Sequence, residues 1–185
     1  MQRFDAQGTL QTGWGAVGTG NGQFTRITDI TVGSTGTVYV LEDRPKGEGR
    51  VQEFDPNGTF LTTFGRGQIV DSGGIALDAQ GDVIVADDLA DSLHVFGADG
   101  RLMRSFGESG GRPGQLDFPS EMAVAGNTLY VCDTFHNRIV RFDLTSEKPT
   151  GYWTLSDQPV SIAFDPSGAV YVITQAGLLT RYRLP

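Results

Sequence analysis

One short phrase recurs five times along this chain: a strand that ends in an aromatic residue and is followed by a turn. The copies are Arg3-Phe4-Asp5, Glu53-Phe54-Asp55, Val95-Phe96-Gly97, Arg141-Phe142-Asp143 and Arg181-Tyr182-Arg183. The aromatic residues recur at intervals of about 40 to 50 residues, a period that indicates a repeat protein. Because each repeat is one small unit that cannot bury a core alone, we expect neighbouring repeats to pack against each other.

The third repeat shows the composition of one unit most clearly. Short runs rich in β-branched and aromatic residues lie at 120–124, 129–132, 138–142 and 152–155. They are separated by Gly, Asn and Asp, which is typical of short antiparallel strands joined by tight turns. No segment has a sustained 3.6-residue apolar period, so we expect no long helix.

The other repeats follow the same order of strands and turns. Second strands recur around Tyr39, Ile84 and Tyr171, and turns of the form Asp-x-x-Gly begin at Asp55, Asp78 and Asp165. Glycine makes up 26 of the 185 residues, which fits many tight turns. Four-stranded units with this spacing predict an all-β fold, a β-propeller of four-stranded antiparallel blades.

Counting strands predicts one domain over residues 1–185 with about four blades. Three complete blades are expected at residues 24–64, 68–106 and 117–155, and a fourth at 159–184. Residues 9–14 resemble a fourth strand and could complete the last blade, which would give a compact ring. The alternative is an open arc, either a fragment of a larger propeller or part of an oligomeric ring.

The first residues of the chain bear on this choice. Met1 to Phe4 repeats the third-strand role of Leu179 to Arg183, so one copy is surplus in a closed four-bladed ring. This surplus favours the open arc. Since an arc would leave blade edges or faces in water, we expect a homo-oligomer that forms through open blade edges.

The phrase from Leu129 to Asp143 resembles the NHL-repeat family of β-propellers, in which Tyr-Val and Asp precede a turn with Asn-Arg-Ile and a strand ending in Phe-Asp. Residues 114–119 and 20–24 are similar to the Gly-Gln-Phe linker between blades of that family. The resemblance covers essentially the whole chain and is most specific in the third repeat. In the second repeat Asp91-Ser92 stands where the third has Asn137-Arg138, and Glu42 and Thr174 occupy the Asp133 position.

Charge and composition narrow the classes of partner. The net charge is −8, which disfavours general binding to nucleic acid or to an anionic membrane surface. The longest apolar runs are only four or five residues, so no membrane insertion is expected. The chain shows no signal peptide at its start. We therefore expect a cytoplasmic protein if the sequence is complete, or an extracytoplasmic one if it belongs to a longer protein.

The single cysteine and the two histidines give little support to catalysis. Cys132 lies in an apolar run, where a buried thiol is expected, and it excludes an intrachain disulfide. His94 and His136 occupy different positions of the repeat, and no nucleophile elbow is present. We expect no catalytic residues and no resident cofactor.

Two carboxylates offer an alternative prediction, a metal site. Asp29 and Glu121 precede or begin first strands, which line the axis of a propeller. Their oxygens could hold a divalent cation, Ca²⁺ or Zn²⁺, in the axial channel. Under this hypothesis the protein would be a propeller hydrolase or lyase. The simpler interpretation is that water solvates both groups at the rim.

The turn of the third repeat supplies the candidate binding residues. Asp133 and Arg138 face each other across it and are expected to form an ion pair, and Glu42 with Arg50 would form its counterpart in the first repeat. Loop aromatics beside arginines are typical contacts for a binding partner. We therefore predict a binding site at the rim that contains four residues: Phe135, His136, Arg138 and Arg112.

These observations favour a non-enzymatic propeller, a scaffold that binds a protein, a peptide or a small-molecule ligand through its rim loops. Repeat architectures supply binding surfaces more often than self-contained catalytic sites. RNA binding, which occurs in eukaryotic NHL proteins, conflicts with the acidic charge and the scarcity of lysine.

Overall fold

A computed structural model describes residues 1–43 and 48–183 of the chain. These residues form twenty-one β-strands and no helix, which confirms the all-β prediction. The chain divides into two compact units, Met1–Ser72 and Gly73–Pro185. No described segment is a helix that could span a lipid bilayer.

The first unit contains one complete blade and a short hairpin. Strands β1 (Gln2–Phe4) and β2 (Leu10–Gly13) form a two-stranded antiparallel sheet. The blade consists of four antiparallel strands in sequence order: β5 (Arg26–Val32), β6 (Val38–Asp43), β7 (Arg50–Phe54) and β8 (Phe60–Phe64). Between hairpin and blade, β3 (Ala16–Val17) and β4 (Gln23–Phe24) form a parallel bridge that the sequence did not predict.

The second unit contains the next two blades, which have the same strand order. One is formed by β9 (Ser72–Leu77), β10 (Val83–Asp87), β11 (Ser92–Phe96) and β12 (Leu102–Phe106). The other is formed by β15 (Pro119–Ala125), β16 (Thr128–Asp133), β17 (Arg138–Asp143) and β18 (Pro149–Thr154). The loop between them carries a second parallel bridge, β13 (Glu108–Ser109) with β14 (Gln115–Leu116).

The last sheet has three described strands, β19 (Pro159–Phe164), β20 (Ala169–Thr174) and β21 (Leu179–Arg183). Residue 184, the predicted end of this blade, lies outside the described residues. A fourth strand from residues 9–14 and the single-domain boundary stay predictions.

Each core lies between neighbouring sheets, because a blade hides its apolar side chains only against another apolar face. In the first unit Phe54 is buried under Trp14, with ring centroids 6.2 Å apart. In the second unit Phe142 packs edge to face against Phe106 at 5.3 Å. Cys132 is fully buried, as expected, and burial raises the pKa of its thiol, with a smaller contribution from the charge of Glu121.

The predicted Asp-x-x-Gly turns have a shared hydrogen-bonding pattern. In the turn after β19, Oδ1 of Asp165 accepts hydrogen bonds from the backbone N–H of Ser167 and of Ala169, at 2.8 and 3.0 Å. The Ser167 hydroxyl and these backbone donors lower the pKa of Asp165 to about 2. Gly168 closes the turn with φ of 80°, a conformation that residues with a Cβ resist.

Candidate functional site

The candidate site is the turn between β16 and β17 together with the loop that precedes β15. Asp133 is the last residue of β16 and Arg138 is the first of β17, and the two face each other in the strand register. Nε of Arg138 donates to Oδ2 of Asp133 at 2.5 Å. Both side chains are buried, which confirms the predicted ion pair.

The remaining donors of Arg138 bind the preceding loop. Nη1 donates to the carbonyl oxygen of Gly111 at 3.1 Å, and Nη2 donates to those of Arg112 and Gln115 at 3.3 and 2.8 Å. On the other side of the pair, Oδ1 of Asp133 accepts from the backbone N–H of Asp117 at 2.7 Å. We call this set of contacts the latch of the third blade. It joins the hairpin turn to the inter-blade loop through buried, charge-assisted hydrogen bonds.

The first blade contains a latch of the same design. Nε of Arg50 donates to Oε1 of Glu42 at 2.6 Å, and both side chains are fully buried. Nη2 of Arg50 donates to the carbonyl oxygens of Gly20 and Gln23, both at 2.9 Å. Oε2 of Glu42 accepts from the backbone N–H of Thr25, also at 2.9 Å. The predicted Glu42–Arg50 pair is thus confirmed, and Glu42, with its longer side chain, makes the contacts that Asp133 makes in the third blade.

The second blade lacks the arginine, as its sequence shows, but the contact of its buried aspartate with a histidine was not predicted. Asp87 is buried at the position of Asp133, but Ser92 stands where Arg138 would be. Oδ1 of Asp87 accepts from the backbone N–H of Ala90 at 3.1 Å, and Oδ2 lies 3.4 Å from Nε2 of His94. His94 also contacts the Ser105 hydroxyl at 2.8 Å through Nδ1. Side chains alternate between the two faces of β11, so His94 lies on the same face as Ser92. Aligning the turns of the second and third blades could therefore have indicated the contact between Asp87 and His94.

An aromatic pair lies at the surface beside the third-blade latch. Phe135 has 53% of its surface exposed and stacks on Phe118, with ring centroids 4.8 Å apart and an interplanar angle of 22°. Phe118 has a φ of 57°, which is uncommon for a residue with a bulky side chain. Its backbone N–H donates to Oδ1 of Asp91 at 2.9 Å. The loop is therefore held in a strained conformation that presents the two rings together.

Backbone contacts fix the exposed ring from the other side. The N–H of Phe135 donates to the carbonyl oxygen of Asp117 at 3.2 Å. The hydroxyl of the preceding Thr134 contacts that of Ser120 at 2.8 Å and the carbonyl oxygen of Pro159 at 3.0 Å. The exposed phenyl group is thus carried on a turn whose neighbours are buried and hydrogen-bonded.

His136 and Arg112 complete the surroundings of the aromatic pair. Nδ1 of His136 lies 3.1 Å from both carboxylate oxygens of Asp133, and its side chain is partly exposed. The backbone N–H of Arg112 donates to Oε1 of Gln115 at 2.9 Å, and Arg112 is exposed. Arg138 packs its guanidinium 4.9 Å from the ring centroid of Tyr152. The latch thus joins the two segments that carry Arg112, Phe135 and His136. Arg138, the fourth predicted residue, is buried beneath them.

The two carboxylates of the metal hypothesis are in separate units. Oδ1 of Asp29 accepts the backbone N–H of Ile30 at 2.7 Å, and Glu121 is half-buried in β15. Among residues 1–43 and 48–183, no three His, Cys, Asp or Glu side chains are grouped so that they could hold a metal ion. A channel metal at Asp29 and Glu121 stays a prediction.

Comparisons with known proteins agree with this architecture. A family model described as a 6-bladed beta-propeller matches residues 69–175, more than half of the chain. The chain is 40% identical to Protein brain tumor of Drosophila melanogaster over 62 residues. This aligned segment is 34% of this chain and 6% of that protein.

Solved structures show the same fold at low identity. A catalytically inactive variant of virginiamycin B lyase from Staphylococcus aureus with quinupristin has a TM-score of 0.69 and 18% identity, and the match covers 100% of this chain and 62% of the lyase. The computationally designed Ika4 protein has a TM-score of 0.64 and 11% identity over 95% of this chain and 99% of the design. The chain thus spans less than two thirds of the length of the lyase and a small part of the Drosophila protein. The predicted fold class, antiparallel four-stranded blades in a propeller arrangement, is confirmed.

Proposed function

This chain belongs to the 6-bladed beta-propeller family, and we propose that it is a non-enzymatic scaffold of the NHL-repeat type that binds a protein or peptide at the rim of its third blade. The NHL assignment is supported by the third-repeat phrase and by the 40% identity to the Drosophila protein. The binding surface consists of Phe135, Phe118, His136 and the exposed Arg112. The fold alone assigns no function, so the proposal depends on this surface.

One observation supports the proposal most strongly, the exposed Phe135 stacked on Phe118 above a buried latch. An exposed ring that is already ordered loses little conformational entropy when a partner covers it. Aromatic residues, phenylalanine among them, are enriched at protein interfaces relative to the rest of the surface. A loop with a positive φ at Phe118 is also strained, and backbone strain of this kind concentrates at functional sites.

The charges around the pair indicate the chemistry of the partner. Arg112 is exposed and His136 is partly exposed, whereas the carboxylate of Asp133 beside them is buried in the latch. A peptide with an aromatic or aliphatic side chain next to Asp or Glu would place the apolar group on Phe135 and the acid near Arg112. Charge complementarity of this kind contributes mainly to specificity and to the association rate.

The second blade supplies a matched control for this surface. Leu89 has the same position in its turn as Phe135 and is 63% exposed. Asp91 and Asn137 end the two turns with nearly identical φ values of 50° and 51°. The two turns therefore share a backbone conformation and differ in the side chain that they present.

The experiment is a selection from a phage-displayed random-peptide library on the full chain, followed by titration of the enriched peptides. We expect peptides with an apolar residue beside an acid, and we expect Phe135→Ala to weaken their binding by about 2 kcal/mol. Leu89→Ala should leave the affinity unchanged. Near-ultraviolet circular dichroism checks that both variants are folded. Equal affinity of the two variants, or no enrichment on the wild-type protein, would contradict the proposal.

A further inference from the structure

The second blade brings a serine, a histidine and an aspartate into contact. Nδ1 of His94 lies 2.8 Å from the hydroxyl of Ser105, and Nε2 lies 3.4 Å from Oδ2 of Asp87. The three residues come from neighbouring strands, since Asp87 ends β10, His94 lies in β11 and Ser105 lies in β12. A hydroxyl, an imidazole and a carboxylate in this order are the groups with which serine hydrolases activate a nucleophile.

The strand register fixes the contact between the histidine and the serine. His94 lies directly opposite Ser105 in the pairing of β11 with β12. Where these strands meet at their turn, the N–H of Gly97 donates to the carbonyl oxygen of Arg101 at 3.0 Å. Hydrogen-bonding residues alternate along an antiparallel pair, so Val95 is the next residue of β11 to bond to β12. His94 and Ser105 therefore form a non-hydrogen-bonded pair, in which facing side chains are closest.

The three side chains pass from the interior of the blade to solvent. Asp87 is fully buried, the side chain of His94 is 12% exposed, and Ser105 is exposed. Because a carboxylate only accepts hydrogen bonds, the ring hydrogen of a neutral His94 belongs on Nε2, and Nδ1 accepts from the hydroxyl. The hydroxyl that solvent reaches is thus the one in contact with the basic nitrogen.

The first blade shows what these positions contain when only a structural contact is made. At the three equivalent positions, in the same order, it has Glu42, Gln52 and Thr63. Nε2 of Gln52 donates to Oε1 of Glu42 at 2.9 Å, so an amide is sufficient to bind the buried carboxylate. An amide does not take up a proton at neutral pH. The histidine of the second blade therefore adds a base that the packing of a blade does not require.

We propose that Ser105 is an activated nucleophile that accepts an acyl group from an ester or thioester, which makes it a covalent modification site of the second blade. Oγ of Ser105 forms a bond to the carbonyl carbon while its proton passes to Nδ1 of His94. The bond from that carbon to the leaving oxygen or sulfur then breaks, and His94 returns the proton to the leaving group. Asp87 is a positioning residue that orients the imidazole and stabilises its positive charge.

The outer edge of the blade supplies a donor for the oxyanion that forms in this step. Within the described residues β12 pairs only with β11. Since Ser105 belongs to a non-hydrogen-bonded pair, its backbone N–H points away from β11, toward that edge. The nucleophile's own N–H is one of the two oxyanion donors in serine proteases. An acyl donor can therefore approach both the hydroxyl and the N–H of Ser105 from the outer edge.

The test treats the full chain with p-nitrophenyl acetate and locates the acetyl groups by tandem mass spectrometry of its peptides. Two exposed serines are matched internal controls, because the hydroxyls of Ser146 and Ser167 donate to aspartates instead of to an imidazole. We expect acetylation of Ser105 to be at least about a hundredfold faster than that of either control, as general-base catalysis provides. Equal rates at the three serines would overturn the proposal.

Replacement of the histidine separates the base from the structural contact. His94→Gln introduces the side chain that the first blade has at this position, which keeps a donor for Asp87 and removes the base. It should slow acetylation of Ser105 by about a hundredfold or more. Thermal unfolding verifies that the variant is folded. Unchanged acetylation in the folded variant would overturn the proposal.

Two variants of the aspartate test its positioning role. Asp87→Asn should slow acetylation of Ser105 by at least about tenfold, because the amide no longer stabilises the charged imidazole. Asp87→Glu, the acid that the first blade has as Glu42, should restore most of the rate. Equal rates for the two folded variants would overturn the role assigned to Asp87.

A second probe, a fluorophosphonate, covers the case in which water removes the acetyl group. Its phosphorus bonds to Oγ of Ser105 as fluoride leaves, and the product resists hydrolysis. A phosphonyl group on Ser105 supports the proposal whether or not an acetyl group persists, and a chain that retains neither group there would overturn it. The site is in the second blade, so either result is independent of peptide binding at the rim of the third.

Discussion

The hairpin turns of the second and third blades have the same backbone, but each stabilises its buried carboxylate differently. In the third blade Arg138 pairs with Asp133 and reaches three carbonyl groups of the preceding loop. In the second blade Ser92 replaces the arginine, and Nε2 of His94 lies 3.4 Å from Oδ2 of Asp87. The two turns thus place different side chains against their buried carboxylates.

This difference explains why the aromatic surface is on the third blade. The latch orders the segment from Gly111 to Asp117, which leads directly into the strained Phe118. The latter then supports Phe135 by stacking. Leu89, at the same place in the second blade, is also exposed, but an aliphatic side chain cannot stack on a neighbouring ring as Phe135 does. Preorganisation, more than exposure, is what separates the two turns.

The largest expected effect is that of removing the arginine. Arg138→Met should lower the free energy of unfolding by about 3–5 kcal/mol, because Asp133 would remain buried without its cation. Urea unfolding measures the change. Ser92→Ala, at the equivalent position of the second blade, should change stability by less than about 0.5 kcal/mol.

A second variant keeps this prediction testable if the first does not fold. Asp133→Asn combined with Arg138→Met removes the buried charge and should recover part of the lost stability. If Arg138→Met alone costs less than about 1 kcal/mol, the latch does not have the role that its geometry indicates.

A smaller effect is expected at the histidine of the second blade. His94→Leu removes the imidazole that lies near Asp87 and contacts Ser105, and it should cost about 1–2 kcal/mol through lost hydrogen bonds to buried groups. The value should be smaller than that for Arg138→Met, since a backbone donor to Asp87 remains. Urea unfolding under the same conditions compares the two, and a larger cost for the histidine would reverse the ranking of the two turns.

The smallest expected effect concerns how stability depends on pH, for which Asp143 of the third blade and Asp82 of the second should act in opposite directions. Hydrogen bonds from the backbone N–H and hydroxyl of Ser146 lower the pKa of Asp143 in the folded protein. The ionised Asp143 side chain therefore stabilises the fold at a pH above the pKa of an unfolded aspartate, and this stabilisation is lost as the pH falls through the lowered pKa of the folded state. Burial raises the pKa of Asp82, and the negative charge of Asp78 raises it further. The folded state therefore favours the protonated Asp82 side chain, and the stability of the protein increases as the pH falls through this raised pKa. Stability profiles over about pH 2 to 6 should therefore change in opposite directions for Asp143→Asn and Asp82→Asn. Changes of the same sign would contradict both assignments.

The repeats allowed much of the fold to be predicted, because equivalent residues in each blade have equivalent strand positions. The ion pairs Asp133–Arg138 and Glu42–Arg50 could be predicted for the same reason, as they face each other across a hairpin of known register. The support of Phe118 could not, because its backbone N–H binds Asp91, which is 27 residues earlier and in another blade.

The most direct test of the binding surface is a map of amide chemical shifts during titration with an enriched peptide from the library. We predict that the largest shifts occur at residues 111–118 and 133–138, with little change at residues 87–91. Phe135→Ala should abolish the shifts in both affected segments, and Leu89→Ala should preserve them. Shifts concentrated at residues 87–91, or an unchanged map in the Phe135→Ala variant, would contradict the assignment of the third-blade rim as the binding site.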